Sequence, residues 1–126
     1  MTASERSLQL ARAAAHAGAD KLATTIVGID VSEQLALTDV FVIASAESER
    51  QVGAVVDAIE DSLRELDAKP VRREGQRDGR WVLIDFGDIV VHVQHDDERE
   101  FYELERLWKD CPEIDLGVVG TEQSSR

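Results

Sequence analysis

The sequence predicts a single α/β domain (α+β mixed): one mixed, five-stranded sheet with flanking helices, in the order α-β-β-α-β-β-β-α. Three observations predict it. The 126 residues suit one domain. Two short apolar runs precede the most amphipathic helix of the chain. Three more, separated by turn residues, follow it. A chain of this size buries a core without staples, and at 43% hydrophobic it has the material for one. We expect the domain to span residues 1–115, with 116–126 as a flexible tail; no repeat and no interdomain linker is visible.

The elements follow in order. Thr2 to about Ala19 reads as a helix, with Thr2-x-x-Glu5 as a capping box and Leu8, Ala11, Ala15 and Leu22 at helical spacing. Thr25–Val31 is a β-branched run and reads as a strand. Val40-Phe41-Val42-Ile43-Ala44 is near-continuously apolar, which places its strand inside the sheet. Ser48-x-x-Gln51 caps the next helix, whose stripe is Val52, Val55, Val56, Ile59, Leu63 and Leu66. Pro70 ends that helix and leads into a strand over Val71–Glu74, and Gly75–Gly79 is a polar turn. Trp81–Phe86 and Ile89–Gln94 flank Gly87-Asp88, the pattern of a hairpin. Asp97-x-x-Glu100 opens a last helix carrying Phe101, Leu104, Leu107 and Trp108, which Pro112 stops.

Charge and composition narrow the function. A net charge of −12 makes the chain a poor general nucleic-acid binder and draws it to basic partners. No run of about 18 apolar residues is present, so no membrane span is expected. The N-terminus shows no basic segment leading into an apolar stretch, so no secretory signal is expected. One cysteine, Cys111, cannot form an internal disulfide, which suits a reducing, cytoplasmic setting.

Four constellations could carry chemistry, and each has a plainer reading. Asp85-Phe86-Gly87 matches the magnesium-binding tripeptide of kinases, but the accompanying Gly-rich loop, strand lysine and catalytic loop are missing. Asp85 and Asp88 could share a metal in a nucleotidyltransferase-like enzyme. The phosphate-binding loop such an enzyme needs is absent, and Asp at a turn commonly caps backbone amides. His92 and His95 fall on opposite faces of one strand, so we expect no joint metal site and read His92 as a core or sheet-face residue with a satisfied hydrogen bond. Cys111 lies far from any histidine in sequence and reads as a semi-buried thiol. No catalytic residue, metal or cofactor is expected.

Trp81 is the informative residue. Strand alternation sets Trp81, Leu83 and Asp85 on one face and Val82, Ile84 and Phe86 on the other. Both faces are apolar, so periodicity leaves Trp81 open between core and interface anchor.

Glu74-Gly75, the run from Trp81 to Val93 and Arg99-x-Phe101-Tyr102-x-Leu104-Glu105-x-Leu107-Trp108 closely resemble the Iojap family of ribosomal silencing factors. Thr38-Asp39-x-Phe41-Val42-Ile43-Ala44-Ser45 and Arg50-Gln51-Val52 match the same family, and the matches span about Lys21 to Pro112. Val40 departs from the family's frequent aromatic, and Glu47 and Glu49 from its small polar residues. The resemblance implies a nucleotidyltransferase-like fold without the catalytic motif. It implies a non-enzymatic factor that binds the large ribosomal subunit through its fourteenth large-subunit protein. Such a factor blocks joining with the small subunit and represses translation under nutrient limitation, and is often a homodimer when free. It places Glu74, Trp81, Val82, Leu83, Asp85, Phe86 and Asp88 in or near the docking surface, with no sequence-specific nucleic-acid contact. The alternative on the same fold is an assembly factor for the large subunit.

Overall fold

The computed structural model describes residues 3–75, 80–97 and 108–117. Its elements are α1 (Glu5–Asp20), β1 (Thr25–Asp30), β2 (Val40–Ala46), α2 (Glu49–Glu65), β3 (Arg72–Gly75), β4 (Trp81–Asp85), β5 (Ile89–His95) and β6 (Glu113–Ile114). The strands make one mixed sheet in the spatial order β3-β4-β5-β2-β1-β6. β2 and β5 run parallel at its centre; the other described neighbours are antiparallel. The predicted α/β class holds, with six strands instead of five. The extra one, Glu113–Ile114, lies just past Pro112 and pairs with Ile29 and Gly28 of β1. The expected turn at 76–79 and most of the expected last helix, 98–107, lie outside the described residues.

Tertiary partners set the start of α1. Ser4, not Thr2, is the N-cap: its side chain accepts from the Ser7 amide. Asp39, at the foot of β2, accepts at Oδ2 from the Ser4 amide at 2.9 Å and from Ser7 Oγ at 2.9 Å. Asp30 Oδ2, at the end of β1, accepts from the Ala3 amide at 3.0 Å. Two strand-end carboxylates thus sit at the positive end of α1, where they stabilise the helix dipole. At the other end Leu22 takes a left-handed conformation (φ 65°) and is 75% exposed, so it lies off the packing face its spacing suggested. Ser48 caps α2 as predicted by accepting from the Gln51 amide. The reciprocal half of that box goes elsewhere: Gln51 Nε2 donates to the Lys21 carbonyl, tying α2 to the end of α1.

Both helices pack on one face of the sheet. There Val52, Val55, Val56, Ile59 and Leu63 of α2 and the alanine face of α1 cover Ile26, Val42, Ile84, Ile89, Val91 and Val93. These side chains are almost fully removed from water, and at roughly 25 cal/mol per Å² their burial dominates the stability of the domain. Leu116 joins this core and is fully buried; residues 118–126 lie outside the described residues.

Candidate functional site

The opposite face of the sheet carries no described helix, and strand register fixes what stands on it. Asp85 pairs with Val90 and Arg72, Leu83 with His92 and Glu74, and Trp81 with Gln94. Across the parallel seam Phe41 pairs with Val90 and Ile43 with His92. Because alternate residues share a face, Arg72, Glu74, Trp81, Leu83, Asp85, Val90 and His92 form one surface with Phe41 and Ile43. Its β1–β2 side is packed against Trp108 and Cys111 beside Val27, Ile29 and Ile43. On its β3–β4 side no described element packs over Trp81 and Leu83. Trp81 and Leu83 are only half-buried there, and with Glu74 and Gly75 they line a shallow depression.

The residues assigned to a docking surface therefore divide. Glu74, Trp81, Leu83 and Asp85 stand together on this face. Val82 and Phe86 do not: they are 8% and 7% exposed in the helix-side core, so a partner cannot reach their side chains. Asp88 is exposed in the hairpin turn, and its carbonyl accepts from the Asp39 amide.

Asp85 acts first on its own turn. Its Oδ1 accepts from the Gly87 amide at 2.8 Å, where Gly87 takes φ 92°, a conformation that favours glycine. Its Oδ2 stands 4.0 Å from Arg72, which also pairs with Glu74 at 3.2 Å. Arg72 was not among the expected site residues, although its register with Asp85 puts it on the same face. The resulting surface has an apolar centre, Trp81 and Leu83, beside two carboxylates and one guanidinium. An amphipathic indole next to mixed charge suits protein recognition.

His92 is the residue whose role the sequence hid. It is 8% exposed, as expected for a sheet-face histidine. Its Nδ1 accepts from Trp81 Nε1 at 3.4 Å, with ring centroids 6.3 Å apart. On its other side Phe41 meets it edge-on at 5.3 Å, and Trp108 meets Phe41 at 5.1 Å. The aromatic row Trp81–His92–Phe41–Trp108 so crosses the whole face. Burial pushes the His92 imidazole down from 6.5 to about 4, which keeps it neutral and able to accept.

That shift carries a pH dependence. Between pH 6.5 and 4 the unfolded chain takes up a proton on His92 that the folded chain refuses. Stability from this source is complete above pH 6.5 and falls as pH drops towards 4, by at most about 1.4 kcal/mol per unit. Urea denaturation at pH 7 and pH 5 checks it: the wild type should lose more stability between them than His92→Phe, and equal losses would refute it.

Comparison with known proteins places this surface in context. Residues 4–126 match the family model described as "Ribosomal silencing factor during starvation". The chain is 43% identical over 103 residues to the ribosomal silencing factor of Bacillus subtilis, covering 82% of this chain and 87% of that protein. It is 36% identical over 89 residues to the mouse protein named "Mitochondrial assembly of ribosomal large subunit protein 1", covering 68% of this chain and 39% of that one. The crystal structure of a Chromobacterium violaceum protein superposes with a TM-score of 0.76 at 30% identity, covering 94% of this chain and 97% of that one.

Proposed function

Since the chain belongs to the ribosomal silencing factor family, we propose that it docks on the large ribosomal subunit, through that subunit's fourteenth protein, and represses translation under nutrient limitation by blocking subunit joining. The observation that carries this reading is Trp81, half-buried on the face opposite α1 and α2, next to Leu83 and Glu74. An apolar anchor inside an acidic chain suits a basic ribosomal protein. The net charge of −12 speeds encounter with such a partner and disfavours bare RNA phosphate. Occupancy is sufficient: a protein seated at the subunit boundary excludes the small subunit by volume, with no catalytic step and no cofactor. The free protein is a cytoplasmic homodimer in this reading.

The test is a pull-down against purified large and small subunits, paired with a subunit-joining assay. The protein should be retained by large subunits alone and should lower the yield of joined ribosomes. Retention without any effect on joining would sink the silencing mechanism. A second reading, assembly of the large subunit, draws on the name of the mouse relative. Accumulation of precursor particles on depletion would favour it over silencing.

A further inference from the structure

We propose that His92 is a positioning residue for docking: the lone pair of its Nδ1 sets the direction in which the Trp81 indole stands on the face opposite α1 and α2. The role presupposes that Trp81 is the docking anchor proposed above. Three observations converge on it. Trp81 sits half-buried on β4, next to the outer strand β3. Its N–H is aimed at the one face-side nitrogen ring of the neighbouring strand, a diagonal pair in the β4–β5 register. His92 itself is nearly immobile, buried between Leu83 and Ile43 in register and braced by Phe41. A buried acceptor that fixes the indole's direction lowers the rotamer entropy that docking must otherwise remove. With Nδ1 accepting, the imidazole proton belongs on Nε2.

Two variants separate the hydrogen bond from the bulk of the ring. His92→Phe keeps a ring against Phe41 and removes the acceptor. His92→Asn places a carbonyl oxygen near the Nδ1 position and removes the ring. The readouts are large-subunit affinity and the Trp81 indole N–H resonance, assigned by its disappearance in Trp81→Ala. In His92→Phe the resonance should move to the position of a non-bonded indole and affinity should fall about fivefold, the equivalent of one neutral hydrogen bond at ~1 kcal/mol. His92→Asn should restore both the resonance and, to within about twofold, the affinity.

If Trp81→Ala loses binding while folded His92→Phe binds as the wild type does, the positioning role is overturned and the docking reading stands. If Trp81→Ala binds normally, the docking reading itself fails. Should His92→Phe not fold, His92→Asn decides alone: a kept indole bond with lost affinity overturns the role, and kept affinity supports it.

Discussion

Trp81→Glu is expected to abolish co-sedimentation with large ribosomal subunits while the domain stays folded. Central aromatic anchors typically carry 2 kcal/mol or more of binding, about thirtyfold in affinity, when truncated. A carboxylate at that point adds the cost of desolvating a charge near Glu74, and removes the indole N–H whose hydrogen bond His92 accepts. The fold should tolerate the change because Trp81 stands on the face opposite α1 and α2, outside the cluster of Ile84, Val91 and Val93 that α2 covers. Far-ultraviolet circular dichroism and a thermal melt should stay close to wild type. Unchanged co-sedimentation in a folded Trp81→Glu protein would show that docking occurs elsewhere.

The largest expected loss of stability falls at Leu116. This side chain is fully buried on the helix side of the sheet. It occupies the space left by Gly28, where an added Cβ would stand 2.9 Å from Leu116 Cδ2. Leu116→Ala should cost about 2–5 kcal/mol, the transfer of the lost carbons plus the cavity left behind. Gly28→Ala alone should also destabilise, by about 1–3 kcal/mol through crowding. Combined, the two should cost less than their sum, since the new methyl enters the space that Leu116 vacates. Urea melts of the two single variants and the double give the coupling. Strict additivity would mean that the two side chains do not compete for one volume.

The helices and the main strands were legible because each carries its own periodicity: the stripe from Val52 to Leu63, the apolar run of β2, the alternation of β4. What the sequence hid was decided across the fold. Ser4 outcompetes Thr2 as the cap of α1 because Asp39 and Asp30, far along the chain, reach the residues around it. Gln51 leaves its own helix start for the Lys21 carbonyl. β6 is two residues long, too short for any alternation to register. The docking surface shows a different limit. A family motif is contiguous in sequence, but a strand sends neighbouring residues to opposite faces. Val82 and Phe86 share the motif with Trp81 and lie on the other side of the sheet. Alternation had already separated them. Counting outward from the Gly87-Asp88 turn pairs Trp81 with Gln94 and Leu83 with His92, and gives no sign that the indole reaches diagonally to His92.

The parallel seam at the middle of the sheet has a consequence for how the chain must assemble. The β4–β5 hairpin brings together Asp85 and Val90, five positions apart. The β2–β5 seam pairs Val40 with Ile89, 49 positions apart. Loop entropy makes the seam costlier to close than the hairpin by about 2 kcal/mol. The β1–β2 pair and the β3–β4–β5 meander form through near neighbours, whereas the junction between them, like the pairing of β6 with β1, demands a long search. α2 lies within the connecting segment and touches both seam strands. Its apolar stripe packs against both β2 and β5, and that burial offsets the freedom lost at the junction.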